Sequence, residues 1–167
     1  MRSGVIKKTK SVPRRVLFFV GLTALLLVAS TVFIVPFSKN KNATKSHKNM
    51  PHVTIDEVTI NVEIANSSQK RKKGLCCRDY LQKNSGMLFV YERPAILQFW
   101  MKDTRIPLDM YWINENKEII YIEQNVRPES YPKSFGPAIP ALYVLETNAG
   151  YAKEHRIHVG QNVQLDT

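Results

Sequence analysis

Acidic side chains are missing from the first 52 residues, which hold ten lysines and arginines; all 14 acids and the other 14 bases fall in residues 53–167. The net charge of +10 therefore belongs to the N-terminal segment. The remainder is formally neutral and lacks the broad basic footprint that binding a phosphate backbone requires, so no nucleic-acid partner is expected. Cysteine is almost absent. Cys76 and Cys77 are adjacent, and a bond between neighbours closes a strained ring, so an ordinary intradomain disulfide is not expected. Two small, partly buried apolar side chains is the plain reading, with an intermolecular bridge or a reactive thiol as the alternatives. There is no glycine-rich phosphate loop and no Gly-x-Ser-x-Gly elbow, which removes the best-marked nucleotide and serine-hydrolase sites. The four histidines, His47, His52, His155 and His158, are not spaced to gather a metal. No metal and no cofactor is expected, and no internal repeat is present.

What the chain does have is one long apolar run. Residues 16–35 are 20 positions without a charge, and a helix of that length spans roughly 30 Å, the thickness of a bilayer core. Arg2, Lys7, Lys8, Lys10, Arg14 and Arg15 precede it, which keeps the N-terminus in the cytoplasm. The expected organisation is a basic cytoplasmic segment (1–15), a transmembrane anchor (16–35), a polar linker (36–52) and an extracytoplasmic domain (53–167). A cleaved signal is the alternative, with Val28, Ala29 and Ser30 as its cleavage site, but the run continues to Val35, past the usual apolar core of a signal. Cleavage would leave a secreted or periplasmic domain, and either way the domain lies outside the cytoplasm.

From Val53 the pattern has a period of two: Val53 and Ile55, then Val58, Ile60, Val62 and Ile64, which predicts one half-buried strand or a pair. Asn66 or Ser67 can cap a short helix over residues 69–76 with a basic face of Lys70, Arg71, Lys72 and Lys73. Strands are predicted over 87–91, 95–101, 108–113, 118–123 and 141–146, neighbours with short connections reading as antiparallel. A proline-rich stretch over 126–140, a second short helix from Asn148 to His155 and a last strand around Val163 complete the chain. The fold class is α+β: a mostly antiparallel, partly closed barrel-like sheet with two short helices, preceded by the transmembrane helix.

With these elements in place, residues 62–163 resemble domain of unknown function 192, a bacterial and archaeal family without an assigned function. The resemblance rests on Lys73-Gly74-Leu75; Gly86-Met87-Leu88-Phe89-Val90; Phe99-Trp100-Met101-Lys102, Thr104 and Ile106-Pro107-Leu108-Asp109; then Tyr143-Val144-Leu145-Glu146, Gly150 and Gly160. It implies a compact, β-rich, barrel-like domain, often behind a signal or anchor. The chain departs from the family's pattern at Asp103, commonly Asn, at Cys76, commonly Met, and at Gln161, commonly Asp. An amide at position 103 in relatives argues against Asp103 as a shared catalytic group.

Alternation along residues 97–102 sets Leu97, Phe99 and Met101 on one face and Gln98, Trp100 and Lys102 on the other. The second face joins an aromatic to a cation, which suits a planar or sugar-like ligand, although a tryptophan is more often buried. Lys102, Asp103, Arg105 and Asp109 surround one connection and are expected to form local ion pairs and turn caps, with Asp109 accepting from Lys102 or from turn amides. Asp103 with Asp109 as an acid and base pair is the enzymatic alternative. Glu146 is expected to make a salt bridge at a strand end. The expected function is a membrane-anchored binding or envelope-associated module for a small-molecule, glycan or protein ligand, with candidate residues Trp100, Lys102, Asp103, Asp109, Tyr131 and Lys133. A hydrolase of an envelope polymer using Asp109 and a purely structural protein are the alternatives.

Overall fold

The computed structural model describes residues 50–166, so the predicted anchor at 16–35 lies outside the described residues. Among the described residues no helix is long and apolar enough to cross a membrane. The elements in chain order are β1 (His52–Ile55), β2 (Val58–Ala65), α1 (Ser68–Lys73), β3 (Ser85–Ala95), β4 (Phe99–Trp100), β5 (Leu108–Ile113), β6 (Ile119–Val126), β7 (Ser134–Phe135), β8 (Ala141–Asn148), α2 (Tyr151–Glu154) and β9 (Val163–Asp166). Seven strands form one sheet in the order β6-β5-β8-β3-β2-β1-β9, and β4 pairs with β7 as a separate ribbon.

The sheet curls into a half-barrel whose two edges meet at one end. There the Val163 amide donates to the Lys117 carbonyl (2.7 Å) and the Ile119 amide to that of Gln161 (2.9 Å). The α+β architecture and the barrel-like sheet agree with the sequence reading, and the period-two stretch from Val53 is a pair of strands, β1 and β2, hydrogen-bonded antiparallel. The pairing of β2 with β3 is parallel, because α1 and the chain after it carry the backbone back across before β3 begins. One expectation needs correction. Residues 95–101 do not form a full strand. Ala95 ends β3 opposite Ala141, Phe99 and Trp100 pair with β7, and between them the Leu97 carbonyl accepts from the Trp112 indole (2.9 Å).

Both faces of the sheet are buried, and the strand pleat decides which residue goes where. Val53, Ile60, Leu88, Tyr111, Ile113 and Leu145 fill the inner face, which α2 closes with Tyr151 and Ala152. Met87, Phe89, Leu108, Met110, Trp112 and Val144 point the other way, where the β4–β7 ribbon and Leu75 cover them. Phe99 joins the ribbon to this outer core through edge-to-face contacts with Phe89 and Trp112.

Gly136 lets the ribbon approach. Its φ is +143°, and a Cβ there would run into the Leu97 carbonyl oxygen and come within 3.2 Å of the Trp112 ring. A Gly136→Ala protein is expected to lose about 2 kcal/mol or more of stability, since neither the backbone nor a packed indole can retreat cheaply. Urea unfolding should show a lower midpoint at unchanged slope; an unchanged midpoint would mean that the ribbon tolerates displacement.

Candidate functional site

Helix α1 owes its start to Ser67, whose hydroxyl accepts from the Lys70 amide (3.3 Å), and its end to Gly74 at φ +51°. Its last turn is all cationic: Lys70, Arg71, Lys72 and Lys73. Arg71 is held in place, donating to the Val90 carbonyl (2.8 Å) with its guanidinium 4.7 Å from the centre of the Tyr91 ring. Lys72 and Lys73 form no ion pair with a described residue and line a pocket of about 120 Å³ between α1, β3, β4 and β8. Lys102 and Trp100 close the opposite side.

The pocket also reaches Glu146, which sequence reasoning missed as a site residue. Its place follows from register: Glu146 lies opposite Met87 on β3 and Met110 on β5, and cross-strand neighbours share a face, so its side chain enters the outer core beside two methionines. Glu146 is 5% exposed. No hydrogen bond or ion pair to a described residue holds its carboxyl, and burial pushes its pKa up to about 8. The expected strand-end salt bridge is therefore absent among the described residues, because the strand continues to Asn148 and the cations of α1 stop short of it. Burial also raises the Tyr91 hydroxyl above its usual range, Arg71 opposing and Glu146 adding to the shift. A carboxyl that stays neutral in an apolar setting can both donate and accept a hydrogen bond.

The structure separates the residues that the sequence grouped together. Trp100 is 56% exposed, and its ring meets that of Tyr131 at 6.2 Å and 74°, so the proline-rich loop does come to the rim of the pocket. Exposure of Trp100 reverses the expectation that it packs in the sheet; Trp112 is the buried indole. Lys133 lies over the Phe135 ring at 4.6 Å and serves the ribbon. Asp103 is exposed at φ +55°, and its carbonyl accepts from the Cys77 amide (2.9 Å).

Asp109 is 0% exposed. It pairs in register with Thr147, one position from Glu146, and so faces the inner side of the sheet, opposite to the pocket. One carboxylate oxygen accepts from the Asn125 amide (2.7 Å) and the other from the Ala152 amide (2.9 Å). Asp103 and Asp109 are thus not presented together, and no ion-pair cluster forms around their connection, since Arg105 bridges to Asp79 instead (2.8 Å).

Cys76 and Cys77 are bonded to each other, contrary to expectation, in the turn that follows α1, where Cys77 takes a positive φ. Among the described residues no three His, Cys, Asp or Glu side chains gather as metal ligands. A wider groove of about 540 Å³ lies beside Met50 and Pro51, but its main charged groups, Arg78 and Glu63, satisfy each other through two hydrogen bonds.

The chain is similar to two solved structures of matching fold. A putative transcription regulator from Sinorhizobium meliloti 1021 is 29% identical, with a TM-score of 0.65 over 70% of this chain and 92% of that one. A protein of unknown function from Novosphingobium aromaticivorans DSM 12444 is 32% identical, with a TM-score of 0.64 over 69% of this chain and 83% of that one. No curated protein matches the chain. The family model for domain of unknown function 192, Uncharacterized ACR, matches residues 51–165, which takes in every strand from β1 to β8, both helices and the Glu146 pocket, and the chain belongs to that family.

Proposed function

We propose that the protein is a membrane-anchored, extracytoplasmic ligand-binding module whose site is the pocket above Glu146. The observation that carries this reading is a carboxyl side chain buried without a partner at the floor of an opening lined by cations and an exposed indole. A residue with a purely structural task gains nothing from such a group, because apolar side chains would fill the same volume without the desolvation cost. Unpaired titratable groups in a pocket are instead what ligand sites retain. The membrane and extracytoplasmic parts of the proposal rest on the apolar run at 16–35 and the bases that precede it.

The hydrolase alternative is less well supported. Acid and base catalysis at a glycosidic bond uses two carboxyl groups, and Glu146 is the single acidic side chain that lines the pocket. The name of the Sinorhizobium relative raises nucleic acid as a partner for this fold, but the equal numbers of acids and bases in residues 53–167 of this chain weigh against it.

The test is calorimetric titration of the full-length chain, in detergent, with soluble envelope glycan fragments. Wild type is expected to bind, Trp100→Ala to bind about tenfold more weakly and Glu146→Ala not measurably, with Trp100→Ala melting as wild type does because its ring is largely in solvent. Equal binding by all three proteins would refute the site. Protease added to intact spheroplasts should digest the domain, and protection would refute its location.

A further inference from the structure

We infer, on the footing of the binding reading above, that the pocket takes an anionic sugar unit, with its acidic group at Lys72, Lys73 and Lys102, a hydroxyl on Glu146 and its ring against Trp100. Size sets the first limit. A pocket of about 120 Å³ is too small for a folded partner or a helix and admits one end of a small unit, whose remainder stays at the mouth beside Trp100.

Charge sets the second limit. Lys72, Lys73 and Lys102 have no ion-pair partner among the described residues, whereas Arg71 is already engaged with Val90 and Tyr91. Burial holds the acid facing them toward its neutral form, and although Lys73 is also attracted to the Glu63 carboxylate on its other side, the cations at the pocket outnumber its acids and favour an anion. A protonated carboxyl complements a hydroxyl, which also donates and accepts, better than it complements a bare anion or an ammonium.

Shape sets the third limit. Trp100 and Tyr131 stand at 74° to each other, making a corner and not a slot. Two parallel rings would sandwich a flat base; a perpendicular pair leaves one open indole face for a puckered ring whose C–H groups pack against it. The acidic group can be a carboxylate or a phosphate, since ammonium groups bind both as point charges.

Affinity should fall as pH rises past about 8, when Glu146 becomes an anion beside the ligand's acidic group. The other ionisable groups that face it are Arg71, Lys72 and Lys73 from α1, Tyr91 from β3, whose hydroxyl burial raises above its usual range, and Lys102 after β4. The full-length chain would be titrated with glucuronate, glucose 6-phosphate and glucose at pH 6.5 and 9.

At least one of the two anions is expected to bind about tenfold or more tightly than glucose at pH 6.5, and which one binds distinguishes a sugar carboxylate from a sugar phosphate. Lys72→Gln with Lys73→Gln should reduce that anion to the level of glucose. Glu146→Gln, which keeps a neutral donor and acceptor, should bind equally at pH 6.5 and pH 9, whereas wild type weakens between them. Glucose binding as tightly as both anions would overturn the ligand class. So would failure of all three sugars while envelope fragments still bind in a Glu146-dependent way, and that outcome leaves the binding reading standing. Failure of the sugars and the fragments alike would overturn both.

Discussion

An Asp109→Ala protein should be destabilised by roughly 2–4 kcal/mol, because the buried Ala152 amide and the part-buried Asn125 amide lose their acceptor at once, and an unpaired buried donor costs about 1–3 kcal/mol. The two amides come from places that cannot supply a substitute. Ala152 lies in the first turn of α2, whose amides have no intrahelical partner, and the residue at the cap position is Gly150, with no side chain to offer. Asn125 sits in a bulge of β6: Leu108 pairs with Val126 and Met110 with Glu123, so the residues between them face Asp109 without a regular ladder partner.

Asp109 therefore serves as an N-cap supplied from another strand and as the clamp on a bulge. Asp109→Asn keeps one oxygen for one amide but turns an N–H₂ group toward the other, so it should fall between wild type and alanine. For a domain of this size the alanine variant's melting temperature should drop by about 10 °C or more. Thermal unfolding by circular dichroism checks it, and a wild-type midpoint would show that water or a shifted loop replaces the carboxylate. The same result bears on catalysis: any loss of function in Asp109 variants has to be measured against their loss of fold.

Asp109 and Glu146 also show where sequence reading reaches its limit. Both are carboxylates within strands, and Asp109 stands in the most distinctive block of the chain, so it draws attention first. Alternation within residues 97–101 picked out Leu97 and Met101 as core and set Trp100 on the opposite face without revealing its exposure, and the apolar period of residues 53–64 marked β1 and β2, because these patterns are local. A cap of α1 at Asn66 or Ser67 was legible for the same reason, and Ser67 supplies it.

Which face of β8 carries Glu146 depends on its pairing with β3 and β5, partners far away in sequence, and a register one residue different between β5 and β8 would have set Asp109 opposite Glu146 on the same face. The parallel pairing of β2 and β3 was hidden likewise, since it is set by the crossover through α1 and leaves no mark in either strand. The signal that could have found Glu146 was weak but present: an acid directly after the apolar run Tyr143, Val144, Leu145, with no base nearby in the sequence to pair with it. Trp100 and Tyr131 were both named from sequence, yet the perpendicular corner that they form needs the β4–β7 pairing.

Glu146→Gln should make the protein more stable at high pH and leave it nearly unchanged at low pH. In the unfolded chain the carboxyl titrates near its ordinary value of 4.5, and in the folded protein burial raises it to about 8. Below pH 4.5 both states hold the proton and the side chain contributes no difference. Between about pH 4.5 and 8 the unfolded state releases the proton while the folded state keeps it, so wild-type stability falls by up to about 1.4 kcal/mol per pH unit from this group. Above pH 8 the folded state also ionises and the loss levels off. The shift corresponds to a total of roughly 3–5 kcal/mol.

Glutamine fills the same volume without a titrating proton, so the difference between variant and wild type should be small at pH 4, grow through neutrality and plateau near pH 9. Taking that difference cancels every other titration in the domain. Chemical unfolding at pH 4, 6, 7.5 and 9 measures it, and a difference that does not vary with pH would show that the Glu146 carboxyl is solvated or paired. A rising difference would establish that the fold carries, at neutral pH, an acid that weakens it. Such a group is maintained against stability only where something other than the fold makes use of it, and a ligand that hydrogen-bonds the neutral carboxyl should raise the midpoint of both proteins, the wild type's less than the variant's at pH 9 because Glu146 must first take up a proton.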